Sequence, residues 1–154
     1  LDQHGLLGPA VVKVGLQVGR DLLALGDDGF LVGVLFLQLG DHTSARGRFE
    51  EALELDPEHP DARRELARCL LESSPDPEVV ERAIELVNQV IDKHPEDWRA
   101  YETLGDAYVR TGDLLAALYS YEDALRHGKN PARVEEKYAG VYEQLLQLPE
   151  GEEL

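Results

Sequence analysis

From Gly29 onward the apolar positions of this chain recur every three or four residues, in stretches that stop at glycine or proline. Val32, Phe36 and Leu39 form one stripe. Ala45, Phe49, Ala52 and Leu53 form the next, then Ala67 and Leu70, then Ala83, Val87, Val90 and Ile91. Leu104 and Tyr108 follow, then Ala117, Tyr121, Ala124 and Leu125, and last Val134, Tyr138, Val141, Tyr142 and Leu145. Such spacing puts each set on one face of an α-helix. The breaks carry their own chemistry. At Gly40-Asp41 and Gly112-Asp113, glycine takes the left-handed cap conformation and aspartate starts the next helix. Asp56-Pro57 and His94-Pro95 end helices because proline cannot continue one. Within the enlarged turn from Glu72 to Pro77, Asp76 reads as an N-cap, with Pro77 at the first helical position and acidic Glu78 behind it. Seven or eight helices are predicted.

The stripes repeat. Val32-Gly33-x-x-Phe36-x-x-Leu39-Gly40-Asp41 aligns with Leu104-Gly105-x-x-Tyr108-x-x-Thr111-Gly112-Asp113. Ala45-x-x-x-Phe49-x-x-Ala52-Leu53, Ala83-x-x-x-Val87-x-x-Val90-Ile91 and Ala117-x-x-x-Tyr121-x-x-Ala124-Leu125 align likewise. Ala83 and Ala117 are 34 residues apart, and Ala45 and Ala83 are 38 apart, a four-residue insertion. This period, with small residues, aromatics and a closing proline at fixed offsets over roughly 27–131, resembles the tetratricopeptide repeat (TPR) family.

The resemblance implies an all-α solenoid of about three helical hairpins, because one hairpin cannot bury its apolar stripe alone. Gly33, Ala67 and Gly105 are expected where the two helices of a hairpin press closely, opposite Ala45, Ala83 and Ala117. Repeats are placed at 27–60, 61–97 and 98–131, a capping helix at 132–148 and an acidic tail at 149–154. Val134, Tyr138, Val141, Tyr142 and Leu145 should face inward on the capping helix, with Glu135, Glu136, Lys137, Glu143 and Gln144 outward. Residues 1–26 form an apolar segment expected to pack, as a helix over Pro9 to Leu25, on the first repeat.

The chain is strongly acidic, with 31 Asp and Glu against 15 Lys and Arg and a net charge of −16. A nucleic-acid footprint needs a basic surface, so DNA and RNA are not expected partners. The longest uncharged apolar run, Phe30 to Gly40, is too short to span a bilayer, so no membrane insertion is expected. The lone cysteine, Cys69, lies among apolar helical neighbours and reads as a buried structural thiol. The five histidines show no metal-ligand spacing, and no phosphate loop or nucleophile elbow occurs. No catalytic residue, metal or cofactor is expected, and the chain is not read as an enzyme. It contains no methionine, even at its start, which reads as a processed form or a piece of something longer. A cytoplasmic location is the expectation; a removed signal peptide or a parent chain would leave no trace in it.

In the family, the first helix of each hairpin lines a concave groove that binds a protein or peptide partner. The resemblance then assigns Phe30, Val34 and Leu37 to the groove in the first repeat, and Arg64, Arg68 and Leu71 in the second. The third contributes Arg99, Glu102, Asp106, Val109 and Arg110. Some members clamp a C-terminal carboxylate with Lys and Asn here; Phe30 and Val34 cannot donate such hydrogen bonds. Two readings of the arginines stand. Arg64, Arg68 and Arg99 hold an acidic-apolar peptide anchored by Phe30, Val34 and Leu37, or they pair with neighbours such as Asp61, Glu65 and Glu102. Two function classes besides the binding module stay open: a homodimer or assembly unit formed through the apolar N-terminal region, and a regulatory fragment of a larger protein. The helix beginning at Phe30 is apolar on two faces, and its second face needs a cover.

Overall fold

The structure, a computed structural model, describes residues 29–129 and 131–149. Among them are seven helices: α1 (Gly29–Gln38), α2 (His42–Leu55), α3 (Pro60–Ser73), α4 (Pro77–Lys93), α5 (Trp98–Thr111), α6 (Leu114–His127) and α7 (Ala132–Leu146). No helix of the described residues is long and apolar enough to cross a membrane. The expectation for 1–26 lies outside the described residues.

The caps at Gly40-Asp41, Asp76 and Gly112-Asp113 fall where the sequence put them, and His59 and Asp97 add two that it did not show. Gly40 and Gly112 sit at φ 76° and 81°, the left-handed region that glycine enters without strain. Asp41 accepts from the Ser44 amide at 3.0 Å, Asp76 from Glu78, Asp97 from Arg99 and Asp113 from Ala116. His59 caps α3 through Nδ1, which accepts from the Ala62 amide at 3.2 Å. Each cap satisfies an amide that would otherwise lack a partner, worth about 1 kcal/mol.

Every helix packs on those before and after it, and α3 also meets α5 across the hairpins. The described residues therefore form an all-α solenoid of three hairpins followed by α7. Phe49, Leu66, Leu70, Val80, Val87 and Val90 are fully buried in one core cluster; Ala117, Tyr121, Ala124, Val134 and Val141 form a second. Tyr108 touches both, so the core is continuous. Each buried side chain of this size contributes about 1.5–3 kcal/mol. Helices this short are marginal alone, so this packing sustains them.

The close approach within hairpins is size-compensated. A Cβ on Gly33 would lie 2.7 Å from the Phe49 ring, and one on Gly105 would overlap the Tyr121 ring. At the matching positions of the second repeat stand Ala67 and Val87, both fully buried. Where the small residue gains a methyl group, the facing residue loses its ring.

Cys69 is fully buried, and burial, reinforced by Glu72, pushes its thiol up to about 12. The thiolate is the reactive form. Native protein at neutral pH should therefore resist thiol labelling until denaturant is added; labelling at the rate of a free thiol would contradict this packing.

One face of α7 differs from expectation. Tyr142 stacks on Tyr138 with centroids 6.4 Å apart, yet remains 48% exposed rather than facing inward. Lys137, expected outward, turns toward α5. Nothing follows α7 in the described array, so the side that a further hairpin would cover stays open to solvent.

Candidate functional site

The first helices of the hairpins, α1, α3 and α5, form a groove of three linked pockets. The end pocket, about 290 Å³, lies between α1 and α3 and is lined by Phe30, Val34, Leu37, Gln38, Glu65 and Arg68. The central one, also about 290 Å³, carries Arg64, Glu65, Arg68 and Glu72 from α3 and Arg99, Glu102, Thr103 and Asp106 from α5. Arg133 and Lys137 from α7 complete it. The distal pocket, about 280 Å³, adds Leu71, Val109, Arg110 and Tyr121. Arg68 belongs to all three. The structure thus gathers Phe30, Val34, Leu37, Arg64, Arg68, Arg99 and Arg110 along one continuous surface.

The cations on this surface differ sharply in their freedom. Arg64 is nearly buried and locked: Nη1 lies 2.5 Å from Asp97 and Nη2 2.7 Å from Asp61. Arg68 lies 2.8 Å from Glu65. For these two, pairing with neighbours is what the geometry shows. Arg99 is not paired with Glu102. It is exposed and lies over the Trp98 ring at 4.7 Å, a cation–π contact. Arg110 is exposed, and among the described residues neither Arg99 nor Arg110 has a carboxylate partner.

Glu102 is taken by α7. Its carboxylate is buried and receives two hydrogen bonds from Arg133, at 2.7 and 2.5 Å, and one from Lys137 at 3.0 Å. Lys137 also donates to Asp106 at 2.8 Å. Burial by itself would raise the Glu102 carboxyl; the Arg133 and Lys137 hydrogen bonds and charges outweigh it and hold it below the usual range. Asp106 also accepts from the Tyr121 hydroxyl at 2.6 Å. Burial, and then that bond, push the Tyr121 phenol above its ordinary value.

A depressed carboxyl contributes stability that is complete above its unfolded value and is lost as pH falls through the folded one. Docking of α7 should therefore loosen below the ordinary glutamate value of 4.5. Arg133 lies 5.6 Å over Trp98, the sole tryptophan, which serves as the reporter. Trp98 emission should shift below that pH in the native chain. In Glu102→Gln the shift should already be present at neutral pH. Identical emission from the two proteins at pH 7 would remove this latch.

Arg133 and Lys137 were missed as groove residues, although a signal existed. Arg133 is Arg99 plus one period of 34, and Lys137 is Thr103 plus one period. The last helix is built like the first helix of a fourth hairpin and faces the groove accordingly.

Family models of the tetratricopeptide repeat match residues 36–73 and 80–132. The chain belongs to the tetratricopeptide repeat family. Among solved structures it is similar to a thermophilic TPR protein of Thermus thermophilus, with 28% identity and a TM-score of 0.69. That match covers 77% of this chain and 65% of the other, so this chain spans just under two thirds of that relative. The first TPR domain of Spaghetti (RPAP3), solved with the HSP90 peptide SRMEEVD, shares the fold at 17% identity and TM-score 0.69. It is covered over 94% of its length, and 77% of this chain takes part. MamA of Desulfovibrio magneticus matches at 19% identity and TM-score 0.67, over 91% of this chain and 88% of its own. A sequence search of curated proteins finds no significant match. TPR repeats are in general a non-enzymatic scaffold for protein interaction, and this TPR chain has that architecture.

Proposed function

We propose that this chain is an adaptor that recruits a partner protein by taking one of its segments into the groove along α1, α3 and α5. The observation carrying the reading is the run of three connected pockets, apolar at the α1 end and charged in the middle. Each approaches the size range of ligand sites. The RPAP3 domain, which has the same fold, was solved holding a peptide, and that precedent supports the reading. The test places a photo-crosslinking residue at Val34 or Val109, inside the groove. The control position is Tyr119, 61% exposed on α6 and outside all three pockets. In extract from cells that make the protein, one partner should crosslink to the first two and not to Tyr119. A partner found only at Tyr119 would overturn the reading.

A second reading is an assembly unit, and one observation favours it. α1 is apolar all round, and Leu39 is 44% exposed at the end of the solenoid. Three covers for this face are proposed: residues 1–26, a second copy of the chain, or the partner segment itself. Light scattering of the whole chain and of a form starting at Gly26 decides. A monomer that forms dimers or aggregates on truncation assigns the cover to 1–26. A dimer before truncation supports assembly, and two monomers leave the partner segment.

A further inference from the structure

The groove reading fixes where a segment lies and leaves its chemistry open. The structure bears on that chemistry through which charges are already spent. In the furrow between α3 and α5, three of the four lining carboxylates are held by cations, and the fourth, Glu72, stands at the rim beside His42. Glu65 lies 2.8 Å from Arg68, and Glu72 lies 2.9 Å from His42 Nδ1. Glu102 and Asp106 are held by α7. Six cations line the central and distal pockets, on a chain of net charge −16, and four of them are held: Arg64 by Asp61 and Asp97, Arg68 by Glu65, and Arg133 and Lys137 by Glu102 and Asp106. The two left over are Arg99 and Arg110, which stand at opposite ends of α5 on one groove-facing stripe.

Eleven residues separate them, about 16 Å of helix. An extended chain covers that distance in about five residues. Beside Arg110, Leu71 and Val109 offer an apolar wall, with Val109 38% exposed. Resting on the groove reading above, we propose that the furrow selects an extended acidic peptide. Two side-chain carboxylates about five residues apart would engage Arg99 and Arg110, and an apolar side chain beside the second would meet Leu71 and Val109. Arginine suits this role because its planar fork receives a carboxylate through two hydrogen bonds. Recognition by side-chain carboxylates needs no donor at Phe30 or Val34, where none exists. The overall negative charge does not forbid the ligand: at physiological salt, exposed charges farther than about 8 Å are largely screened, and the local pair decides.

The probe is a fluorescein-labelled nonapeptide with blocked termini, two glutamates five residues apart, a leucine after the second, and serine or alanine elsewhere. Blocked termini remove any free terminal carboxylate. Control peptides carry glutamine or lysine in place of both glutamates. Fluorescence anisotropy should rank glutamate first, glutamine second and lysine last. Arg99→Glu and Arg110→Glu should each weaken the glutamate peptide about fivefold, the value of one good exposed ion pair. The double reversal should bind the lysine peptide best. Both positions are exposed, and circular dichroism verifies that the variants keep their helix content; Arg99→Gln and Arg110→Gln repeat the comparison without introducing charge. Equal binding of all three peptides, or affinities untouched by either arginine, overturns acidic selection while leaving the groove reading intact. No binding by any of them overturns it as well, and the groove reading is then judged by the crosslinks at Val34 and Val109.

Discussion

Replacing Gly105 by alanine should destabilise the protein by up to about 2 kcal/mol, although alanine is the better helix former. Two effects oppose each other. Alanine in a helix interior gains about 1 kcal/mol over glycine. A methyl group at Gly105 overlaps the Tyr121 ring, and overpacking a tight core costs about 1–3 kcal/mol. The clash wins only if the ring cannot move. Tyr121 is 2% exposed, and its hydroxyl is anchored to Asp106 at 2.6 Å, so it has nowhere to go. Gly140 on α7 supplies the control. A Cβ there meets nothing within 4 Å, so Gly140→Ala should stabilise by about 0.5–1 kcal/mol. The second repeat shows the compensated solution, Ala67 with Val87. Tyr121→Val alone should cost about 3 kcal/mol through the cavity and the lost Asp106 bond. In the Gly105→Ala background it should cost less, with a coupling of about 0.5–3 kcal/mol. Urea unfolding of the four proteins of the cycle measures this. Additive effects would mean that the two residues do not press on each other.

Asp97→Ala should be among the most damaging single changes on the surface of this chain, at about 2–4 kcal/mol. Asp97 performs two tasks with its two oxygens. Oδ1 accepts from the Arg99 amide and caps α5; Oδ2 meets Arg64 at 2.5 Å. Losing an N-cap costs about 1 kcal/mol. Stranding a buried charge costs about 3–5 kcal/mol when no partner remains, and Arg64 still keeps Asp61 at 2.7 Å, which moderates the loss. Asparagine separates the two tasks, because it caps as well as aspartate but is neutral. Asp97→Asn should therefore lose the ion-pair share alone, and Arg64→Met, which removes the charge and keeps the bulk, should partly rescue Asp97→Ala. If Asp97→Asn melts like the native protein, the Arg64 pair contributes nothing and the cap carries the whole effect.

The helical hairpins and the caps at Gly40-Asp41, Asp76 and Gly112-Asp113 were legible in the chain itself, because each depends on local spacing. An apolar residue every three or four positions specifies a helix face, and Gly40, Pro57 and Gly112 act within one turn of themselves. Repetition at 34 residues then fixed the stacking, since equal hairpins bury equal stripes. The groove surface was legible to the same extent: one period maps Phe30 to Arg64 and Val34 to Arg68. Charge pairing was not. Arg64, Arg68 and Arg99 look alike in the sequence, and only folding decided which of them is spent. Asp97, 33 positions away, reaches Arg64 because α3 and α5 lie side by side; Arg99, two residues further on, meets no carboxylate among the described residues. Glu102 looked like the natural partner of Arg99, yet Arg133 and Lys137 claim it from α7, 31 and 35 residues later. Ion pairs form between whatever side chains the packed backbone brings within about 4 Å, and their energy carries no periodicity that a sequence could display. Helix, turn and repeat are short-range properties of this chain; the identity of its unpaired cations is a property of the assembled solenoid.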